Sequence, residues 1–290
     1  MDSILECLNH TKPLLLDGAT GTGLNRRGID LSLPLWSAAA IESAPDVLRQ
    51  IHAEYVTAGA EILTANTFRT HARNLFAAGR ADRAGELTQR AVDIARSAAG
   101  DSAWVAGSQA PLEDCYSPQR VPDDEVLKRE HETMSRHLAA AGVDLILVET
   151  QNTIREAMAA TQSATTTGIP TFVSFVCGAE GRLLSGETLT EAVTAVLPFQ
   201  PTAVLVNCIP AESALSILEE LHAAAGAISF GAYANIGKQE PDGTWIDSDA
   251  VDPKCYARYA ESWLKYGAKI IGGCCGTTPE HIQKMKNLVG

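Results

Sequence analysis

The most evident absence in this sequence is that of long apolar runs. No stretch approaches the roughly 20 residues that a helix needs to cross a membrane. Positive charge is also scarce, since 23 Lys and Arg residues stand against 35 Asp and Glu residues and give a formal net charge of -12. Such an acidic chain is a poor partner for nucleic acid or an anionic membrane surface. The first residues, Met1–Glu6, lack the basic and apolar regions of a secretory signal. These absences predict a cytoplasmic protein that binds neither nucleic acid nor membranes.

The sequence also lacks the even number of cysteines that a fully disulfide-bonded protein would have. The seven cysteines, without a secretory signal, fit a reducing compartment better than a disulfide framework. Cys274 and Cys275 are adjacent, and neighbouring cysteines rarely bridge each other because their Cβ vectors seldom converge. They follow the apolar run Lys269–Ile271, and a third thiol, Cys208, ends the apolar run Ala203–Cys208. Three soft ligands at strand ends predict a metal site, with zinc and an open fourth position as the best match.

Short β-type runs alternate with longer helical patterns along the chain. Between the runs, apolar residues recur at three- and four-residue spacing, as in Val47–Val56. Eight such units over about 250 residues predict one domain, residues 1–290, folded as a single (β/α)8 TIM barrel of the α/β class. The predicted strands are Leu14–Asp17, Glu61–Ala65, Trp104–Gly107, Leu145–Glu149, Thr171–Phe175, Val204–Cys208, Ser229–Ala232 and Lys269–Gly272.

A doubly wound open sheet also alternates strands and helices, so the polar residues decide between the two folds. A barrel gathers its strand ends around one mouth, whereas an open sheet spreads them along a crevice. Nearly every predicted strand ends in a polar or reactive residue, namely Asp17, Asn66, Ser108, Glu149, Cys208, Asn235 and Cys274. The pattern favours the barrel, and it predicts that the irregular stretches 108–122 and 234–251 form loops over the mouth.

Three thiolate ligands favour one kind of zinc chemistry. Zinc removes the proton from a coordinated thiol at neutral pH, although a free thiol has a pKa of about 8.5. A site with three sulfur ligands is electron-rich, which keeps the bound sulfur nucleophilic. Zinc hydrolases usually use histidine and carboxylate ligands instead. The ligand set therefore predicts alkylation of an incoming thiol rather than hydrolysis.

Three motifs carry a resemblance to a known family. Leu16–Thr22 (Leu-Asp-Gly-Ala-Thr-Gly-Thr), Val206–Cys208 (Val-Asn-Cys) and Gly272–Pro279 (Gly-Gly-Cys-Cys-Gly-Thr-Thr-Pro) are together similar to the homocysteine S-methyltransferase family. That family includes betaine- and S-methylmethionine-dependent enzymes and the homocysteine domain of cobalamin-dependent methionine synthase. The resemblance implies an enzyme that methylates the thiol of homocysteine to give methionine. It also implies that Cys208, Cys274 and Cys275 hold the catalytic zinc.

Two carboxylates and a glycine-rich turn are predicted to hold the amino acid part of homocysteine. Asp17 could accept hydrogen bonds from the ammonium, and the turn beginning at Gly18 could donate backbone N–H groups to the carboxylate. The alternative for Asp17 is a cap on its own turn. Glu149 with Thr150 is similar to the family's Glu-Thr after the fourth strand, which implies a second carboxylate for the ammonium. An ionised Glu at the end of an apolar strand is costly unless it is paired.

Three further residues are predicted at the mouth. Trp36 matches a family tryptophan near the methyl donor, and an aromatic face would stabilise a cationic donor; the alternative is ordinary packing. Asn66 lies in a segment that resembles the Thr-Asn-Thr-Phe block of the methionine-synthase branch, which implies a role in shaping the mouth. Asn235 is similar to the last residue of the family's Tyr-Pro-Asn, which implies contact with zinc or substrate, and the alternative is an Asn that forms a turn.

The methyl donor is predicted by class. A sulfonium, S-methylmethionine or S-adenosylmethionine, is favoured over betaine and other methylated compounds, and over a separate corrinoid protein. The family's Gly-Ser-x-Gly-Pro after the third strand is replaced here by the segment Gly107–Asp114. The resemblance therefore does not predict the residues of the donor pocket. The predicted partners are therefore homocysteine and this donor. The sequence is also compatible with a homo-oligomer and does not decide the oligomeric state. The remaining thiols are predicted to be small apolar side chains, namely Cys7, Cys115, Cys177 and Cys255.

Overall fold

The computed structural model describes residues 3–9, 12–178, 180–239 and 244–290. Within them, eight parallel strands form one sheet, and the two short strands β8 and β9 form an antiparallel hairpin. The strands are β1 Leu14–Leu15, β2 Ile62–Ala65, β3 Trp104–Gln109, β4 Leu145–Gln151, β5 Thr171–Phe175, β6 Ala203–Pro210, β7 Ser229–Asn235, β8 Gly237–Gln239, β9 Trp245–Asp247 and β10 Ile270–Gly273. β1 pairs with β10, and a bridge from Leu16 to Ile62 closes the ring between β1 and β2. The (β/α)8 barrel predicted from the sequence is confirmed.

Helices cover the outside of the barrel between successive strands. They are α1 Ile4–Asn9, α2 Thr20–Arg26, α3 Ala40–Ser43, α4 Pro45–Thr57, α5 Ala72–Phe76, α6 Ala84–Ala99, α7 Asp124–Ala140, α8 Ile154–Thr165, α9 Leu189–Val196, α10 Ala214–Ala225, α11 Pro253–Tyr266 and α12 Pro279–Val289. Among the described residues, none of these helices has the length and apolar character needed to cross a membrane.

Residues of each strand alternate between two apolar layers, as the pleat of a strand requires. Leu14 and Leu16 belong to the cluster that fills the inside of the barrel, whereas Leu15 packs in the layer beneath the helices. Ile4 of α1 joins the inner cluster, so this helix packs against the interior of the barrel. A filled barrel leaves its carboxyl-terminal mouth as the place for a binding site.

Five strands extend further at their carboxyl ends than the sequence predicted, including β3, which continues to Gln109, and β10, which continues to Gly273. β4 continues two residues past Glu149, β6 continues past Cys208, and β7 continues to Asn235. Near these ends the register shifts in two pairings, that of β4 with β5 and that of β6 with β7. Each shift is a bulge that accommodates a left-handed φ value, at Thr150 in β4 and at Cys208 in β6. The stretch 234–251, predicted as a loop, contains β8 and β9, and its residues 240–243 lie outside the described residues.

Candidate active site

A cavity of about 500 Å³ opens at the carboxyl ends of the barrel strands. Its walls come from the carboxyl-terminal ends of β2, β3, β4, β6, β7 and β10 and from the loops after β1, β2, β3 and β10, and so from both ends of the chain. The lining includes most residues that the sequence singled out, namely Asp17, Gly18, Trp36, Asn66, Glu149, Cys208, Cys274 and Cys275.

The three predicted metal ligands form one cluster in this cavity. The ligand atoms of Cys208, Cys274 and Cys275 all lie within 4.8 Å of one another, and the Sγ atoms of Cys208 and Cys274 are 3.0 Å apart. Zinc–sulfur bonds of about 2.3 Å separate tetrahedral sulfur ligands by about 3.8 Å, so Cys208 and Cys274 would move apart slightly to share an ion. The cluster could therefore hold a metal such as zinc, and three donors leave a tetrahedral ion one position for a substrate.

Hydrogen bonds among the thiols divide the charge of the cluster unequally. The thiols of Cys208 and Cys274 lower the pKa of Cys275, because their hydrogen bonds favour its thiolate. The hydrogen bond to Cys274 raises the pKa of Cys208, and so does burial. The cluster thus favours negative charge at Cys275, and a divalent cation would favour the thiolate at the other two positions as well.

Asn207 holds the end of β6, where Cys208 lies. Its buried Oδ1 accepts hydrogen bonds from the backbone N of Thr150 at 3.0 Å and from Oγ of Ser174 at 2.7 Å. Its Nδ2 donates to Oγ1 of Thr150 at 2.9 Å. Thr150 and Cys208 have left-handed φ values of 60° and 54°, a conformation that costs about 1–3 kcal/mol outside glycine. The amide of Asn207 therefore fixes two strained strand ends and, through them, the position of the Cys208 thiol.

The turn after β10 holds the other two thiols through its backbone. The N–H of Cys274 donates to a carbonyl of β7 at 2.7 Å, and the N–H of Cys275 donates to Oδ1 of Asn235 at 3.0 Å. The hydroxyl of Thr277 closes the turn by donating to the carbonyl of Cys274 at 2.7 Å. A Cβ on Gly273 would lie 2.4 Å from Oγ1 of Thr277, so the residue before the cysteine pair has to be glycine for the turn to pack.

Asp17 is buried at the end of β1. Its carboxylate accepts hydrogen bonds from the backbone N of Thr64 at 2.8 Å and from Oγ1 of the same residue at 3.0 Å. Both bonds come from β2, so a neighbouring strand rather than its own turn holds this carboxylate. Burial raises the pKa of Asp17 to about 8, the hydrogen bonds from Thr64 oppose that rise, and repulsion from Glu149 adds to it. Because a nearby cation favours the ionised form, a bound ammonium would stabilise this carboxylate.

Glu149 is the second buried carboxylate in the cavity. Its Oε1 accepts a short hydrogen bond from Oγ of Ser108, and its Oε2 accepts one from the hydroxyl of Tyr233 at 3.2 Å. Burial raises the pKa of Glu149 to about 7, and these two hydrogen bonds lower it in part. Glu149 and Asp17 line the same cavity, so both could contact one ligand. Two carboxylates without a cation between them favour a positively charged ligand group.

The glycine-rich segment of the first motif starts α2 at the cavity wall. The N-cap Ala19 offers no side chain to the N–H groups of the first helical turn, which therefore stay available to an anion. Gly18 is needed for close packing, since a Cβ would lie 2.8 Å from Oγ1 of Thr277 and 2.9 Å from the ring of Tyr55. The turn thus brings uncapped N–H groups next to the two carboxylates.

Trp36 and Asn66 form another wall of the cavity. The ring of Trp36 packs edge-on against Phe68, with centroids 5.8 Å apart. A Cβ on Gly21 would lie 2.7 Å from the Trp36 ring. Asn66 donates from Nδ2 to the carbonyl of Ser37 at 2.7 Å and accepts from Oγ of Ser37 at 2.6 Å. Asn66 therefore holds the segment that presents Trp36 to the cavity.

The loop after β3 adds residues that the sequence did not assign to the site. Asp114, Cys115 and Tyr116 line the cavity, together with Arg69 from the loop after β2. Tyr116 lines the same cavity as the three thiols, and the charge of Cys208, followed by burial, raises the pKa of its hydroxyl. The sequence pointed to this loop because residues 107–114 depart from the family pattern. That departure did not identify any individual residue as part of the site.

Asn235 contacts the turn that carries the cysteine pair. Its side chain is 2% exposed and lies outside the lining of the cavity, and Oδ1 accepts the N–H of Cys275. The geometry makes it a residue that positions a thiol rather than one that contacts substrate. Asn207, which the sequence analysis treated only as part of a motif, positions Cys208 in the same way. An asparagine next to a candidate ligand is the signal that could have identified both.

The fold and the mouth together define a class, that of barrels whose mouth carries a cysteine cluster able to hold a metal. A family model described as homocysteine S-methyltransferase matches residues 14–289, and the chain belongs to this family. The resemblance predicted from the sequence is confirmed.

Known proteins similar to this chain come from bacteria and plants. It is 31% identical over 295 residues to a homocysteine S-methyltransferase of Escherichia coli strain K12, covering 94% of both chains. It is 29% identical over 309 residues to a selenocysteine methyltransferase of Astragalus bisulcatus, covering 93% of this chain and 90% of that one. The crystal structure of the metallated form of MmuM, a homocysteine methyltransferase from Escherichia coli, matches with a TM-score of 0.85 at 27% identity, covering 98% of both chains.

Proposed function

We propose that this chain is a zinc-dependent methyltransferase whose single domain, residues 1–290, transfers a methyl group from a sulfonium donor to the thiol of homocysteine and forms methionine. The observation that carries the proposal is a cluster of three thiols in a cavity that also contains two buried carboxylates. Membership of the homocysteine S-methyltransferase family supports transfer to homocysteine. The similarity to metallated MmuM supports a metal in the cluster.

Cys208, Cys274 and Cys275 would hold the zinc ion. Zinc bound by three thiolates would lower the pKa of the homocysteine thiol and keep its sulfur nucleophilic. Asn207 and Asn235 fix the backbone at the ligands, so the thiols keep their spacing when substrate enters.

The amino acid part of homocysteine would bind beside the thiols. Asp17 and Glu149 would accept hydrogen bonds from the ammonium, which compensates for the burial of two carboxylates. The uncapped first turn of α2, beginning after Ala19, would donate N–H groups to the carboxylate. These contacts orient the acceptor sulfur toward the cavity, and orientation of this kind is a large part of catalysis in a displacement reaction.

Transfer breaks the bond between the sulfonium sulfur of the donor and its methyl carbon, and the electron pair of that bond stays on the donor sulfur. A new bond forms between the methyl carbon and the homocysteine sulfur. The donor leaves as a neutral thioether, and the acceptor becomes methionine. No general base acts in this step, because the thiol has lost its proton beforehand. The chain therefore contributes by holding the two sulfurs in line on either side of the methyl carbon.

The donor would approach along the wall that contains Trp36 and Phe68. The face of an indole ring attracts a cationic methyl group through its quadrupole, and both rings line the cavity. A sulfonium, S-methylmethionine or S-adenosylmethionine, is the donor that we propose. Betaine and a methyl group delivered by a separate corrinoid protein are the alternatives.

A donor screen with zinc-loaded protein tests the proposal. Homocysteine is incubated with S-methylmethionine, S-adenosylmethionine or betaine, and methionine is measured by mass spectrometry. A parallel arm replaces homocysteine by selenocysteine, for which the Astragalus relative is named. Methionine formed from a sulfonium without a second protein supports the proposal and excludes a corrinoid partner. Methionine formed from betaine alone, or from no donor, contradicts it.

A further inference from the structure

Arg69 is a charged residue at the cavity for which the described part of the chain provides no counterion. It follows Phe68 in the loop after β2 and lines the cavity. Its Nη1 donates to Oδ1 of Asn74 at 3.2 Å, while its Nε is buried and has no hydrogen-bond partner. Within the described ranges, no carboxylate lies within ion-pair distance of its guanidinium.

A guanidinium in this condition favours a bound anion. A buried N–H without an acceptor costs free energy that an incoming acceptor would recover. The planar guanidinium presents its N–H groups in a fork whose geometry matches a carboxylate. The hydrogen bond to Asn74 restrains the side chain, so little further ordering is required when an anion binds. Arg69 is thus suited to a carboxylate inside the cavity.

Asp114 provides the opposite charge on the same wall. Its Oδ1 accepts from the backbone N of Tyr116 at 3.2 Å, and its Oδ2 accepts from Oγ of Ser117 at 2.7 Å. These bonds fix the carboxylate, and no cation of the described segments forms an ion pair with it, Arg69 included. The cavity therefore has two sets of recognition groups. One set is nearly fully buried, at Asp17 and Glu149, and the other is partly exposed, at Arg69 and Asp114.

We propose that Arg69 and Asp114 bind the carboxylate and the ammonium of a methyl donor that is itself an amino acid. The inference rests on the proposed methyl transfer and narrows its donor. Because the buried set serves the amino acid part of homocysteine, the partly exposed set serves that of the donor. S-methylmethionine and S-adenosylmethionine carry both groups, whereas betaine has a carboxylate but no N–H to offer to Asp114.

Donor analogues combined with variants test this assignment. The donors are S-methylmethionine, its decarboxylated analogue (3-aminopropyl)dimethylsulfonium, and its deaminated analogue 4-(dimethylsulfonio)butanoate. In the wild type, loss of either group should lower kcat/KM about 10- to 100-fold, the effect of one charge-assisted hydrogen bond. Arg69→Gln should impose that loss on S-methylmethionine and remove the preference for the carboxylate. Asp114→Asn should do the same for the amino group.

Controls separate binding from a general effect on the loop. Arg69→Lys should recover part of the preference for the carboxylate. Arg136→Gln, an exposed arginine on α7 whose guanidinium bonds to Thr133 of the same helix, should leave all donors unchanged. Donor binding is also measured by calorimetry, which reads the same preferences without turnover. An equal loss for every donor in Arg69→Gln, or a rise in the homocysteine KM alone, would overturn the assignment.

The calorimetric arm also separates this inference from the proposed function. If the wild type transfers no methyl group, the proposed function fails, and analogue binding still decides the role of Arg69. If methyl transfer occurs but the analogues bind and react as well as S-methylmethionine, only the assignment of Arg69 and Asp114 fails.

Discussion

The mouth of the barrel has two halves that are held in different ways. The sulfur half consists of Cys208, Cys274 and Cys275 at the ends of β6 and β10, and the acid half consists of Asp17 and Glu149 at the ends of β1 and β4. The sulfur half is fixed through the backbone, by a left-handed residue in β6 and by hydrogen bonds to the N–H groups of the turn after β10. The acid half is fixed through the carboxylates themselves.

This difference means that the two halves control different properties, the distances between thiols in one and the charge of the carboxylates in the other. Backbone restraint sets the distances between thiols, which a metal requires, and leaves the sulfurs free to coordinate. Direct hydrogen bonds to the carboxylates of Asp17 and Glu149, together with burial, set their pKa values near neutrality. Changes in the sulfur half should therefore alter metal binding, and changes in the acid half should alter substrate binding only. The hydroxyl of Tyr233 on β7, which donates to Glu149, is the contact that links the two halves.

Removing a thiol should have the largest effect. Cys208→Ala, Cys274→Ala and Cys275→Ala should each lower the zinc content below about one ion per chain and abolish methyl transfer, because two ligands bind zinc far more weakly than three. Zinc is measured by atomic emission. Cys255→Ala, on α11 and outside the cluster, is the matched control and should keep full zinc. Full activity in a metal-free preparation would contradict this prediction.

The two asparagines should differ in what they stabilise. Asn207→Ala removes three hydrogen bonds between buried groups, so the free energy of unfolding should fall by about 3 kcal/mol. Asn235→Ala removes one hydrogen bond to Cys275, and zinc affinity should fall about 10- to 100-fold with a smaller loss of stability. Urea unfolding of the metal-free protein and zinc titration measure the two quantities. Equal loss of stability in both variants would mean that the two cysteine positions are held alike.

Changes in the acid half should spare the metal. Asp17→Asn and Glu149→Gln should each lower kcat/KM for homocysteine by about one to two decades. Each variant loses a charge-assisted contact with the ammonium, which stabilises the transition state by roughly 1.5–3 kcal/mol. Zinc content should stay that of the wild type. Asp101→Asn, an exposed carboxyl before β3, is the control. Wild-type kinetics in both variants would indicate that the ammonium binds elsewhere.

Trp36 should affect the donor alone. Trp36→Leu keeps much of the apolar volume but loses the ring quadrupole, which for a desolvated cation is worth about 2 kcal/mol. Donor KM should therefore rise roughly 30-fold, while homocysteine KM and zinc content hardly change. Trp245→Leu, an exposed tryptophan in β9, serves as the matched control. If the KM for homocysteine rises instead, Trp36 contacts homocysteine rather than the donor.

The last prediction concerns the effect of pH on the acid half. With pKa values raised by burial to about 8 for Asp17 and about 7 for Glu149, a fall in pH protonates the carboxyls that accept the ammonium. Methionine has the ammonium but no thiol to titrate, so its Kd isolates this effect. Binding of methionine should tighten between pH 6 and 8, by no more than about tenfold per pH unit for each group. Calorimetry on zinc-loaded protein measures it, and Asp17→Asn and Glu149→Gln should flatten the profile.

The barrel and the thiol cluster could be predicted because local patterns specify them. Alternating strands and helices give the topology, and a Gly-Gly-Cys-Cys turn gives two of the ligands, because Gly273 must lack a Cβ for the turn to form. Burial at the strand ends could be predicted for Asp17 and Glu149 in the same way, since each follows an apolar run.

The remainder depends on contacts between distant segments. The loop after β3 has no periodicity, so nothing in the sequence placed Asp114 and Tyr116 in the cavity beside Arg69. The bulge at Thr150 is held by the amide of Asn207, which reaches from β6 past β5 to β4, and a short apolar run does not encode that. Asn235 was assigned to the substrate for a similar reason, because the direction of its side chain is set by the turn after β10.

The closure of the ring has a consequence for synthesis on the ribosome. The amide of Ala19 donates to the hydroxyl of Thr277 across 258 positions of the chain, so β1 can pair with β2 early but meets β10 only when that strand has been translated. A nascent chain that has passed Cys208 but not Cys274 contains both acids and one thiol of the cluster. The other two thiols are translated together, 66 positions or more after Cys208. The three-thiol cluster would therefore be complete only once β10 is available to close the barrel, so a metallated molecule would be one in which that closure has already happened.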